Sequence, residues 1–267
     1  MADSPPAIQI EGLVKRINRF GRSITAIDGL DLCVPQGQVL GLAGPNGCGK
    51  SMTLRVLLGL ARPTAGRALI FGEQCRPGAA VLARVGALVD GPGFVPHLSG
   101  LANLRLAWRL TRRPESEACL DAALALAGLD EAIHLPYHTY SHGMRYRLAL
   151  AQALLGHPDL LLLDEPTTGL DPAQVIEVHH AITELARRGA TVLLSSHRLG
   201  EVERVCSHVA LMRQGRLVTT GRIADLTGPA ISAGGGRRSL EEVYLELVHG
   251  MTEGSSTSSR GHEDLAS

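Results

Sequence analysis

One stretch constrains this chain more than any other: Gly44-Pro45-Asn46-Gly47-Cys48-Gly49-Lys50-Ser51, a G-x-x-x-x-G-K-S loop. The apolar run Val39-Leu40-Gly41-Leu42-Ala43 precedes it, and Leu54, Val56, Leu57, Leu58 and Leu60 follow. The order predicts a buried strand, a glycine-rich turn and an apolar helix. Backbone N–H groups can close on a phosphate only where Cβ atoms are absent. A helix that starts near Lys50 adds the positive end of its dipole. Lys50 then reaches the β- and γ-phosphates of a nucleotide, and the Ser51 hydroxyl ligates Mg²⁺. Such a loop alone leaves kinase, GTPase and ATPase open.

A second stretch narrows the choice. Leu160-Leu161-Leu162-Leu163 is a strand without a polar face, and it ends in Asp164-Glu165. Asp164 is placed to reach Mg²⁺ through water. Glu165, one residue on, points elsewhere and is the candidate general base for the attacking water. Pro166-Thr167-Thr168-Gly169-Leu170-Asp171 continues the pattern, with Asp171 as N-cap and Pro172 at the first position of the next helix, expected over 172–188.

The bulk properties exclude several classes. Lys+Arg and Asp+Glu are 26 each, so no net charge draws the chain to nucleic acid or an anionic membrane. The five cysteines are scattered without a C-x-x-C pair, which fits a reducing cytosol and neither a disulfide framework nor a zinc site. The first residues lack the basic and apolar regions of a signal peptide. No apolar run approaches the roughly 18 residues of a membrane span. His134, His138 and His142 recur at four-residue spacing, but Pro136 interrupts them and no carboxylate completes a metal site.

Along the chain, 7–14 and 24–34 read as strands, with turns at Pro35-Gln36-Gly37 and Pro63-Thr64-Ala65-Gly66. Strands follow at 68–71 and 85–89. From Gly91 to about Leu155 the periodicity turns helical, at Leu101, Leu104 and Trp108 and again at Leu120, Ala123, Leu124 and Ala127. The α/β pattern then resumes through 191–194. Gln214-Gly215 joins a hairpin, and 240–248 reads as a last amphipathic helix. The expected organisation is a nucleotide-binding domain over 7–222 with a helical subdomain at 91–155. A helical extension over 223–250, with a glycine-rich linker at 232–238, and a disordered, serine-rich tail over 251–267 complete it.

The loop at Gly44, Tyr140-Ser141-His142-Gly143-Met144, the Leu160–Asp164 strand with Glu165, Gly169-Leu170-Asp171 and Ser195-Ser196-His197 occur together in the order and spacing of the ATPase subunits of ABC transporters. Over roughly 8–248 the chain resembles that family, and most closely its bacterial drug, lantibiotic and antibiotic exporters. The resemblance implies a P-loop NTPase (RecA-like) α/β core with an antiparallel β subdomain and a helical insertion. It implies ATP and Mg²⁺ as ligands, two such domains arranged head to tail, and a separate multi-spanning permease. That permease's cytoplasmic helix would dock near Leu101 to Trp108, at the inner face of the cell membrane, with core packing as the competing account of that apolar stretch. Ser141 and Gly143 would contact the γ-phosphate bound by the partner domain, Asp171 would lie at the dimer seam, and His197 would help position the water held by Glu165.

The chain departs from the family pattern in places. His142 and Met144 stand where the signature loop usually has Gly and Gln. Met52 replaces a hydroxyl residue at the end of the ATP-contacting loop. Asp90 replaces a Gln and is assigned to Mg²⁺ or its water. Ile17 occupies the place of the adenine-stacking aromatic, which leaves Phe20, three residues on, as the candidate. Besides export, two readings stay open: a soluble ATPase of the same superfamily acting on ribosomes or DNA, and an ATP-driven dimerisation switch.

Overall fold

An apolar strand without alternation is stable only when both of its faces are covered. The Leu160–Leu163 run meets that condition by dividing its side chains. Leu160 and Leu162 enter one hydrophobic cluster, Leu161 and Leu163 another, and all four are at most 1% exposed. Burying each stabilises the fold by about 1.5–3 kcal/mol before the entropy of ordering it. The computed structural model describes residues 4–19, 21–91, 93–228 and 238–256.

The chain begins with an antiparallel ribbon, β1 (Ile8–Arg19) and β2 (Arg22–Val34). β1 runs further than the apolar pattern predicts, because cross-strand pairing carries it to Arg19 opposite Arg22. Next come β3 (Val39–Ala43), the glycine-rich loop and α1 (Lys50–Leu57). Leu60, read with that helix, falls beyond it and is exposed. β4 (Ala65–Ile70) starts inside the expected turn, because Ala65 pairs with Val14. β4 and the short β5 (Glu73–Gln74) complete a four-stranded sheet of order β2-β1-β4-β5.

After β6 (Val85–Leu88) come α2 (Gly100–Leu110), α3 (Leu120–Ala127) and α4 (His142–Ala153), joined by short 3-10 turns. This segment owns a separate small core of Leu104, Ala123, Ala127, Leu129, Ile133, Tyr137, Tyr140 and Leu148. Trp108 is buried and its indole N–H donates to Pro114 O at 3.0 Å. Gly128 ends α3 in the left-handed conformation.

β7 (Leu160–Asp164), α5 (Pro172–Arg187), β8 (Thr191–Ser196), α6 (Leu199–Val205), β9 (His208–Arg213) and β10 (Arg216–Arg222) restore the α/β alternation. The resulting six-stranded sheet has the order β10-β9-β3-β8-β7-β6, parallel except for the β9–β10 hairpin. One face packs on α1 and the antiparallel sheet. The other packs on α4, α5 and α6.

α6 follows His197 directly and has no counterpart in the sequence reading; its Leu199 and Val202 are buried. α7 (Ile223–Leu226) and α8 (Leu240–Ser256) send Ile223 and Leu240 into the second core. α8 runs to Ser256 and so replaces the first part of the expected disordered tail, since no proline stops helix propagation there. Most of the expected 232–238 linker, and residues 257–267, lie outside the described residues.

Candidate functional site

In an open parallel sheet, ligands meet the C-terminal ends of the strands. β8 lies between β3 and β7, and its register sets Ser195 opposite both Leu42 and Asp164, and Ser196 opposite Ala43. Three sequence-distant loops therefore leave the sheet side by side: 44–49 after β3, 165–171 after β7 and 197–198 after β8.

The glycine-rich loop is held from below. Gly215 N–H donates to Cys48 O at 3.0 Å, which links the loop to the β9–β10 turn. Gly49 has φ 110°, and a Cβ there would lie 2.5 Å from Ala26 O, so only glycine fits. Gly49 is also the N-cap of α1, which leaves the first-turn amides of Lys50, Ser51 and Met52 outside the helix's own ladder. Burial pushes the Cys48 thiol above its usual range. Lys50 is buried, and its Nζ donates to Gly44 O (2.7 Å) and Pro45 O (3.3 Å) while standing 3.5 Å from Glu165 Oε1.

Ser51 Oγ donates to Asp164 Oδ1 at 3.0 Å. A hydroxyl and a carboxylate this close form a hard oxygen pair of the kind that suits Mg²⁺, so the residues present fit that ion. Ser195, fully buried, joins them: its Oγ donates to the same Asp164 Oδ1 at 2.5 Å and accepts Glu165 N–H at 2.9 Å. Glu165 sits at φ 48°, a left-handed conformation that a non-glycine residue keeps only when its neighbours impose it. His197 Nδ1 lies 2.7 Å from Glu165 Oε2. An ionised carboxylate can only accept, so the ring carries its proton on Nδ1 there.

The signature stretch sits elsewhere, at the exposed N-terminus of α4. Ser141 is the N-cap, and its Oγ accepts Met144 N–H at 3.3 Å, which leaves the hydroxyl proton free to donate outward. Gly143 lies so close to α5 that a Cβ would meet Gln174 Nε2 at 1.9 Å. Gln174 also closes a capping box with Asp171, accepting Asp171 N–H at 3.3 Å while Asp171 Oδ1 accepts Gln174 N–H at 3.0 Å. The His142 ring lies over Gly169. Ser141-Gly143 and Gly169-Asp171 are thus fastened to each other within one chain.

Three of the side chains singled out in the sequence have other partners in this structure. Asp90, assigned to Mg²⁺ or its water, gives both carboxylate oxygens to Arg55, at 2.9 Å to Nε and 2.5 Å to Nη2. The bidentate guanidinium hydrogen bonds hold the Asp90 carboxyl below its usual range. Met52, at the end of the ATP-contacting loop, packs its side chain against the hydrophobic core. Met144, which stands in place of the signature's Gln, packs on the core of the helical insertion. Both thioethers are apolar and follow the apolar stripe of their helix. Phe20 lies outside the described residues. Ile17, in its stead, pairs with the half-exposed Ile24 across the β1–β2 ribbon.

The sequence reading missed Ser195 as a bridge, Gln174 as the signature's neighbour and Arg55 as the partner of Asp90.

The matches to known proteins agree with this geometry. The family described as "ABC transporter" matches residues 27–168. The chain is 39% identical over 214 residues to the uncharacterized ABC transporter ATP-binding protein YhcH of Bacillus subtilis, spanning 79% of this chain and 70% of that protein. It is 35% identical over 221 residues to the bacitracin transport ATP-binding protein BcrA of Enterococcus faecalis, covering 82% and 70%. It is 37% identical over 227 residues to the Nod factor export ATP-binding protein I of Ralstonia nicotianae, covering 84% and 69%. Among solved structures, an ATP-binding subunit of an ABC transporter superposes with a TM-score of 0.77 at 26% identity, over 91% of this chain and 99% of that one. A dimeric ATP-binding cassette in a post-hydrolysis state, bound to ADP and Pi, shares the fold with a TM-score of 0.72 at 22% identity, over 80% and 98%.

Proposed function

The chain belongs to the ABC transporter family as an ATP-binding, ATP-hydrolysing subunit, and from that premise we propose that it drives export of a drug, antibiotic or peptide. Export would run through a separate membrane permease, with this chain at the inner face of the cell membrane. The relatives named for bacitracin transport and Nod factor export support the direction. Among the described residues no helix is long and apolar enough to cross a membrane, and in this reading the permease supplies the spans. A hollow of about 390 Å³, lined by Leu98 and by Leu101, Arg105 and Leu106 of α2, is the place proposed for the permease's cytoplasmic helix.

The observation that carries the hydrolytic part is the contact between Glu165 and His197, 2.7 Å, beside Lys50 and the loop amides. Lys50 and the amides of residues 47–52 hold the phosphates. Ser51 and Asp164 would hold Mg²⁺, which supplies charge neutralisation at the β- and γ-oxygens. Glu165 takes the proton of a water as its oxygen attacks the γ-phosphorus, and the bond to the β-phosphate oxygen breaks to release ADP. His197 donates its Nδ1–H to Glu165 Oε2, which orients that carboxylate toward the attacking water. Ser141 and the α4 N-terminus of a second subunit, itself or a paralogue, close over that phosphate, and Asp171 lies at the seam.

The test is ATP turnover by the full chain and by Glu165→Gln, with dimer mass followed in ATP. The expected outcome is turnover at least about 100-fold lower in the variant, with an ATP-stable dimer. Unchanged turnover would remove Glu165 from the role of base.

A further inference from the structure

The two loops that carry Glu165 and His197 are joined by a carboxylate that belongs to neither. Glu201 stands in the first turn of α6, where the helix dipole favours a negative charge. Its two oxygens go to different loops. Oε2 accepts from Thr167 Oγ1 at 2.5 Å, and Oε1 accepts from Arg198 Nη1 at 2.8 Å. Thr167 lies two residues after Glu165 and is only 4% exposed. Arg198 follows His197. The Glu201 side chain is 16% exposed, so these contacts replace most of its hydration.

The arrangement bears on a conformational problem in the site. Glu165 is held at φ 48°, and its turn closes through Thr168 N–H to Glu165 O at 3.1 Å. The β8 side of that turn is pinned by Ser195. The far side is pinned by Thr167, and Thr167 is pinned by Glu201. The same carboxylate holds Arg198, whose N–H donates to Ser196 Oγ at 3.0 Å. A charge-assisted pair at each end makes one rigid link between the two turns.

We infer that Glu201 is a positioning residue: through Thr167 and Arg198 it sets the separation between the Glu165 carboxylate and the His197 ring. The inference rests on the assignment of Glu165 and His197 as the hydrolytic pair. Glu201 touches neither ATP nor the attacking water. Its removal changes how often the pair stands in the productive geometry, and a displacement of about 1 Å at such a pair costs up to roughly 100-fold in rate.

The experiment uses the full chain with Mg²⁺ and ATP, measuring kcat, KM, nucleotide affinity with a fluorescent ATP analogue, and the unfolding midpoint. Thr167→Val removes the hydroxyl at nearly constant volume, Thr167→Ser keeps it, and Glu201→Gln brings an amide donor against Arg198. The expected result is kcat lower by about tenfold in Thr167→Val and in Glu201→Gln, with affinity within about twofold of the parent. Thr167→Ser restores the rate, and the double variant is no slower than the worse single one, because both cut the same link. Unchanged kcat in both single variants overturns the inference. So does a joint fall of kcat, affinity and unfolding midpoint, which marks a merely structural strut. If Thr167→Val does not fold, Glu201→Gln decides. Glu165→Gln is run beside them. If it stays active, the assignment of the base fails; if it is dead while Thr167→Val and Glu201→Gln turn over normally, only the link fails.

Discussion

β3, β7 and β8 hold their share of the site in parallel register, buried and cross-linked, whereas α4 presents its share at an exposed helix end. Lys50, Ser51, Asp164, Glu165, Ser195 and His197 form a connected set of hydrogen bonds and ion contacts within one chain. Ser141 and His142 are exposed, and their stretch leans on α5 through Gly143 and Gln174 and on Gly169 through His142. The first region is preorganised, so its chemistry depends on local geometry. The second region is a surface, so its chemistry depends on what meets it. In the proposed mechanism the first region holds ATP and the second closes on the ATP of another subunit.

Substitutions can separate the two regions. The largest effect is expected in the strand-borne half. Lys50→Ala removes a buried cation from Gly44 O, Pro45 O and the neighbourhood of Glu165. Nucleotide affinity should fall roughly 100-fold, measured by equilibrium binding to the isolated chain. A smaller effect is expected at the helix-borne half. In Gly143→Ala the new Cβ meets Gln174, which must swing away and release Asp171 N–H. Turnover should fall by about tenfold while ATP affinity of the isolated chain holds and stability drops by about 0.5–1.5 kcal/mol. If affinity fell as far as in Lys50→Ala, the two regions would not be separable.

The smallest effect is expected at Asp90. Arg55 lowers the Asp90 pKa, so the native state favours the ionised form. The pair's stabilisation is fully present above the unfolded value of about 3.9 and is lost as pH falls through the lower native value. The pair is exposed, with side chains 39% and 49% accessible, which limits its worth to about 0–1 kcal/mol. Denaturant unfolding of Asp90→Asn should show that small deficit at pH 7, and the two proteins should converge in strong acid. A deficit of several kcal/mol would mean that the loop carrying Asp90 is a structural anchor.

The strand-borne half was legible because its physics is local. A glycine-rich loop between an apolar strand and an apolar helix, and two carboxylates after four leucines, state their roles in their own spacing. The Asp171 N-cap and the Gly128 stop follow from the same local rules. The partner of Asp90 and the Ser195 bridge were not legible. Each depends on which side chain from a distant segment arrives first. Arg55 and Asp90 are 35 residues apart, and Ser195 and Asp164 are 31 apart.

What the residue order determined by itself is the set of elements that could bind a phosphate and polarise a water, because periodicity, glycine content and strand-end carboxylates act within a few residues. What only the tertiary structure decided is adjacency. β8 inserts between β3 and β7, so Ser195 and His197 fall beside Asp164 and Glu165. The physical reason is that strand order is selected by burying both faces of the sheet at once, a condition on the whole chain that no window of sequence contains.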